Sequence, residues 1–403
     1  MTGAQEHPRN SAGSVGSAFR LGAALVFAAS AVAVRCLGLP LSPLMGVLVY
    51  GAGVVAAAFL LSWAAEAAEC EISAHLAMML LALVAVMPES AVDLYFAWRA
   101  GSDQVFATYA AANMTGANRL LVGIGWPLVL IVGAFSGRGR TLLLKPVHRL
   151  ELGWLAVVTV YAALIPLRGR IWLYDGAVLI GLFLAYLWRA SHAPSTEPEL
   201  VGVAYWLGHL GRPIRRVAIA ALFLVSAVVI AAVVGPFANA LLGAARSMGL
   251  SEFLAVQWLA PLASEAPELV VAGTLAARGH RAMAMTALLS SKLNQWTLLV
   301  GGLPFACWAG GGGWWLPLDA RQTAEFLLTA GQTMLGVALL VNLRLTAVTA
   351  AILVGSFVLP FALRSEDQRL TLAIMYLMAS AAIMAFRARE VATTIRTLVS
   401  GRE

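Results

Sequence analysis

Val84-Ala85-Val86-Met87-Pro88-Glu89 and Ala263-Ser264-Glu265-Ala266-Pro267-Glu268 each place a proline directly before a glutamate inside a long apolar stretch. The two Pro-Glu pairs lie 179 residues apart, and each is followed ten residues later by an arginine, Arg99 and Arg278. Farther along, Leu120-Leu121-Val122-Gly123 returns as Leu298-Leu299-Val300-Gly301, now 178 residues apart. A carboxylate in hydrocarbon costs about 3 kcal/mol or more unless it has a partner or lines a wet cavity. Carrying that cost twice, in matching places, predicts a membrane carrier built from two repeats around an ion site at mid-bilayer.

The rest of the chain agrees. Of 403 residues 61% are hydrophobic and only 12% charged, which excludes an ordinary soluble globule. Apolar runs long enough to cross a bilayer recur from Ala18 to Arg387, so the fold class is an all-α integral membrane protein in contact with lipid. We read twelve spans, near 18–37, 44–66, 72–98, 104–135, 151–167, 171–188, 216–245, 252–278, 282–309, 322–342, 345–363 and 369–387. They divide into an N-terminal tail and extra helix (1–43), a five-helix unit (44–188), a linker with Pro194, Pro198 and Pro213 (189–215), a second five-helix unit (216–363), and an extra C-terminal helix and tail (364–403). Five is odd, so the second unit enters from the opposite face and the repeats are inverted.

Lys and Arg, among them Arg138, Arg140, Lys145 and Arg149, concentrate on the side that holds both termini and the linker. That bias predicts cytoplasmic termini in a bacterial inner (plasma) membrane. The net charge of +7 then reflects cytoplasmic loops facing anionic lipid and not nucleic acid. Trp126, Trp154, Trp172, Trp188, Trp308, Trp314 and Trp315 fall near span ends, as interfacial anchors do. The Gly310–Gly313 run reads as a flexible loop, and Cys36, Cys70 and Cys307 as packing residues without metal spacing. A homo-oligomer is compatible with the sequence, and no cofactor is expected apart from transported Na+, Ca2+ or H+.

Proline removes one helical hydrogen bond and kinks the helix, exposing carbonyls a turn earlier. Together with the carboxylate they supply oxygen ligands for a hard cation. Glu89 and Glu268 are therefore the central candidates, both as cation and as metal ligands. Asp93, four residues after Glu89, and Glu265, one turn before Glu268, share their helical faces and would tune charge or carry protons. The helix after each Pro-Glu is small and polar in its first half: Ala112-Asn113-Met114-Thr115-Gly116-Ala117-Asn118-Arg119, then Ser290-Ser291-Lys292-Leu293-Asn294-Gln295. Oxygens of Asn113, Asn118, Ser291 and Gln295 would complete the coordination. A small-residue packing face explains the Ala and Gly here but not this set of polar side chains.

These segments resemble the α-repeats of the cation/calcium exchanger superfamily, the sodium/calcium exchanger membrane region. That family carries a Gly-Thr-Ser-Leu-Pro-Glu type motif, a Gly-Ser-Asn-hydrophobic-Phe-Asn/Asp type motif, then Leu-Leu-Val-Leu-Gly. The resemblance covers about 72–135 and 252–309. It implies a ten-helix inverted-repeat core that exchanges Ca2+ or another cation for Na+ or H+ by alternating access. Its two essential glutamates correspond to Glu89 and Glu268, and its following Ser and Asn/Asp to Ser291 and Gln295; in the first repeat either Asn113 or Asn118 takes that place. Departures are Ala85-Val86 where hydroxyls are usual, an added carboxylate at Glu265, and two basic residues, Lys292 and Arg119. Such charges could neutralise the carboxylates or plug the ion site, which leaves a non-transporting scaffold as the alternative to an antiporter. No Gly-x-Gly-Asp, His-Glu-x-x-His or serine-nucleophile setting supports an intramembrane enzyme.

Overall fold

The computed structural model describes residues 11–71, 90–137, 139–190, 200, 202–363 and 365–400. Pro88, Glu89 and Arg138 lie outside them, as do Pro194 and Pro198 of the expected linker. The first half runs through α1 (Ser11–Cys36), α2 (Pro43–Ala68), α3 (90–100), α4 (Val105–Leu120), α5 (Trp126–Phe135), strand β1 (Thr141–Leu143), α6 (His148–Leu164), β2 (Arg170–Trp172) and α7 (Leu173–Ala190). A short α8 (Gly202–Gly208) follows. The second half contains α9 (Arg212–Ser247), α10 (Glu252–Ser264), α11 (Ala266–Arg278), α12 (Arg281–Asn294), α13 (Val300–Ala309), β3 (Trp315–Pro317), α14 (Ala320–Leu340), β4 (Arg344–Thr346) and α15 (Ala347–Val358), then α16 (Glu366–Phe386) and α17 (Ala388–Ser400).

Among the described residues, eight helices are long and apolar enough to cross a membrane. Other expected spans are built differently. The 252–278 span is two helices meeting at Glu265, and the 282–309 span is helical throughout but polar in its first half. The 345–363 span is the 12-residue α15 closed by a 3-10 turn, Leu359–Ala362.

Two small strand pairs show how the halves face each other. β1 pairs antiparallel with β4, Thr141 opposite Thr346, and β2 with β3, Arg170 opposite Pro317. β1 and β2 flank α6, while β3 and β4 flank α14, and α6 packs on α14. The start of α6 therefore lies beside the end of α14, and its end beside the start of α14. The fourth helices of the two sequence repeats run antiparallel, the relation that inversion requires. At one end the pair is sealed by Trp172 and Trp315, 4.9 Å between ring centres, with the Arg170 guanidinium over both rings.

Some expectations are corrected. Trp126 is no interfacial anchor. It is wholly buried, because the span continues helically past it and its ring packs where Gly336 of α14 has no side chain. The Gly310–Gly313 run is a joint: a Cβ on Gly310 would stand 1.9 Å from the Trp98 carbonyl oxygen, and one on Gly101 would stand 2.5 Å from that of Cys307. Helix α9 starts at Arg212, with Pro213 in its first turn, where its missing N–H costs nothing. Of the cysteines only Cys307 is buried. The expected C-terminal tail is the helix α17, whose Val391, Ile395, Leu398 and Val399 recur at helical spacing; Leu398 packs on Gly153 of α6.

α4 and α10 carry the polar residues of the two halves into contact, and Gly116 lets them touch. A Cβ at Gly116 would stand 1.8 Å from the main-chain oxygen of Gln257. Backbone has no rotamer with which to escape, so Gly116→Ala should destabilise the protein by at least about 2 kcal/mol. Thermal unfolding in detergent checks this; a melting temperature equal to that of the parent would show that the helices are not so close.

Candidate functional site

The site begins with a broken helix. Pro267 has no N–H to give the carbonyl of Ala263, so α10 stops at Ser264 and α11 restarts at Ala266. Glu265 is the junction, at φ −86° and ψ −6°: its N–H reaches the Pro261 carbonyl, and its own carbonyl accepts from Leu269. Its side chain is wholly buried. Glu268 sits in the first turn of α11, half-buried, where the positive end of a helix favours a carboxylate.

Two carboxylate–amide pairs define the interior. Asn113 of α4 donates from Nδ2 to Asp93 Oδ2 of α3 at 2.8 Å. Gln295 donates from Nε2 to Glu265 Oε1, also at 2.8 Å. All four side chains are 0% exposed. Because each amide gives its N–H to a carboxylate, its oxygen stays available. Among the described residues, Asp93 Oδ1, Asn113 Oδ1, Glu265 Oε2 and Gln295 Oε1 are buried and accept no hydrogen bond. Buried acceptors of this kind are costly, and four of them in matched pairs from the two halves form an oxygen set suited to a hard cation. The pairs also act on each other, since Glu265 feels the charges of Glu268, Asp93 and Lys292.

The other expected residues separate. Asn118 is engaged: its Nδ2 donates to the Met114 carbonyl, and its Oδ1 and main-chain O accept from Lys292 Nζ at 2.6 and 2.7 Å. Ser291 is buried beside Lys292 on α12. Arg119 points elsewhere. Its Nη1 donates to Glu325 Oε2 of α14 at 2.8 Å, and its guanidinium lies over the Trp258 ring. It does not plug the space between the carboxylate–amide pairs. After each polar helix the chain makes a π turn, Leu121–Gly125 and Gln295–Leu299, a distortion frequent at functional sites. In the second half that turn is what carries Gln295.

Sequence reasoning missed three contributors. Glu66 of α2, held by Ser62 Oγ at 3.1 Å, lies within electrostatic reach of Glu268. Its signal in the sequence is a carboxylate at the end of an alanine-rich apolar span. Gln257 of α10 donates to Thr115 Oγ1 and to Glu325 Oε2, joining the halves behind the site. Glu325 gave the clearest missed signal, an acidic residue early in an apolar span. Among the described residues no group of three or more His, Cys, Asp and Glu is gathered as a metal centre.

The family described as sodium/calcium exchanger protein matches residues 42–191 and 218–365. A solved structure described as the H+/Ca2+ exchanger CAX superposes with a TM-score of 0.91 at 38% identity, covering 96% of this chain and 99% of its own. Native YfkE gives a TM-score of 0.60 at 16% identity over 88% of this chain and 99% of its own. A sodium–calcium exchanger, NCX_Mj, gives 0.52 at 13% identity, covering 87% and 100%. The last two show likeness of fold alone. No curated protein sequence matches the chain.

Proposed function

Because this chain belongs to the sodium/calcium exchanger family, we propose that it is a secondary antiporter exchanging Ca2+ for H+ by alternating access across a bacterial plasma membrane. The observation that carries this reading is the pair of buried carboxylate–amide couples, Asp93–Asn113 and Glu265–Gln295, with their four unbonded oxygens. Carboxylate and amide oxygens are the ligands that Ca2+ takes. The similar structure that covers almost all of this chain is itself described as an H+/Ca2+ exchanger. Glu268, one turn from Glu265, is a further carboxylate of the site and Ser291 a hydroxyl ligand, and the matching Pro-Glu sequence makes Glu89 the first repeat's counterpart of Glu268.

Antiport follows from electrostatics. Bare carboxylates facing hydrocarbon cost several kcal/mol, so the site changes sides only when its charge is neutralised. Ca2+ does this on one leg and protons on the other, and occupancy by one excludes the other. The two inverted halves supply the rocking elements, and termini on the cytoplasmic side follow from the Lys/Arg bias. Of the features that suggest a blocked scaffold, only Lys292 reaches this neighbourhood, since Arg119 faces Glu325.

The test is flux in vesicles loaded with a pH-sensitive dye, with Na+, K+ and Ca2+ supplied separately. Ca2+ is expected to drive proton efflux in the parent protein, and Glu268→Gln to abolish it while the protein elutes as a folded species. Undiminished flux in Glu268→Gln would remove Glu268 from the site, and no cation-driven proton movement in the parent would end the antiport reading.

A further inference from the structure

Lys292 is unused by the exchange just described, yet it is wholly buried at the edge of the site. Its ammonium meets one residue of the opposite half through two oxygens, Asn118 Oδ1 at 2.6 Å and Asn118 O at 2.7 Å. A side-chain amide oxygen and a main-chain carbonyl of the same residue converge on a single point. The shorter distance falls at the upper end of the roughly 2.3–2.6 Å of a calcium–oxygen bond, and the longer lies just beyond it. On another side Nζ lies 5.2 Å from the centre of the Trp296 ring, whose face attracts a cation. Two oxygens and a ring face surround a position that suits a small monovalent cation, and the chain fills it with its own ammonium.

We propose that Lys292 is a fixed cation that occupies a monovalent-ion position at Asn118, so that Na+ has no seat in this protein and the exchange is restricted to a divalent ion against protons. This inference rests on the antiport reading. Lys292 neither blocks the couples Asp93–Asn113 and Glu265–Gln295 nor contributes an oxygen to them. It takes one oxygen ligand, Asn118, out of the mobile cation's cage by filling the place where its two oxygens converge. Removing the ammonium while leaving Asn118 intact opens the position to Na+.

The experiment compares the parent, Lys292→Met and Lys292→Asn in two ways. In vesicles, Ca2+-driven proton movement is recorded with NaCl or choline chloride in large excess. In detergent, the melting temperature of each purified protein is recorded in the same two salts, since an ion that binds only the folded state raises it. The parent is expected to show no difference between the salts in either assay. Both variants are expected to lose at least about tenfold in Ca2+-driven flux when Na+ replaces choline, and to melt at higher temperature in Na+. A parent that already responds to Na+ overturns the inference, as do variants whose flux and melting ignore Na+. A variant that carries no flux is still decided by its melting: a Na+-specific rise supports the fixed-cation role and its absence rejects it. Failure of the antiport reading looks different, because the parent then moves no protons in either salt.

Discussion

Glu265→Gln is expected to lower Ca2+-driven proton exchange by at least about 100-fold while leaving the protein at least as stable to heat as the parent. The substitution keeps the size of the side chain and keeps an oxygen for the hydrogen bond from Gln295, now 2.8 Å long. What it removes is one negative charge from a fully buried position at the junction of α10 and α11. At contact distance, a unit charge pair is worth about 4 kcal/mol with an effective dielectric constant of about 20, and a divalent ion doubles that. A tenfold loss needs only about 1.4 kcal/mol. Even heavily compensated, the loss should exceed two decades. The stability arm points the other way, because a buried carboxyl set beside Glu268 and Asp93 is replaced by a neutral amide. Flux in vesicles and melting in detergent measure both. Retained exchange would remove Glu265 from the cation's path, and a large fall in melting temperature would make its role structural.

How much of this could be read from residues alone depends on how local the signal is. The membrane class and the doubled Pro-Glu motif rest on hydropathy and identity, and the expectation of inverted halves on parity; none of these needs three-dimensional information. The family membership followed from the same short motifs. Asn113 and Gln295 stand out in the sequence because amides in a small-residue span are chemically conspicuous. Their partners were ranked in a different order. Helical spacing makes Asp93 and Glu265 accessories to the Pro-Glu glutamates, whereas in the structure they are the carboxylates that the amides of Asn113 and Gln295 hold. Helical spacing places a residue on a face; it does not reveal which neighbouring helix that face meets. The same limit separates Arg119 from Lys292. Both are basic, both sit in comparable stretches, and only packing sends one to Glu325 and the other to Asn118. Gly116 and Gly310 were illegible for a related reason, since a close backbone approach leaves no trace in the sequence beyond the glycine itself.

The second large effect belongs to the charge cluster behind the site. Glu325→Ala is expected to destabilise the protein by about 3–5 kcal/mol, the cost of leaving a buried charge without its partner. Glu325 of α14 is 2% exposed and binds two arginines, Arg119 of α4 through Oε2 and Arg369 of α16 through Oε1, both at 2.8 Å. Gln257 of α10 also donates to Oε2, at 3.1 Å. One carboxylate thus ties together four helices, two of which, α4 and α10, lead directly to Asn113, Asn118 and Glu265. Removing it leaves Arg119 and Arg369 facing each other in the interior, and Gln257 loses an acceptor. A protein of ordinary stability has only about 5–15 kcal/mol in hand, so the variant should melt far earlier and transport poorly through loss of folded protein. Arg119→Met together with Glu325→Leu should recover part of that loss, because it exchanges a charged pair for apolar side chains, which is often close to neutral. If Glu325→Ala melts within about 1 kcal/mol of the parent, the cluster is wet enough to be screened and the four helices are held by packing alone.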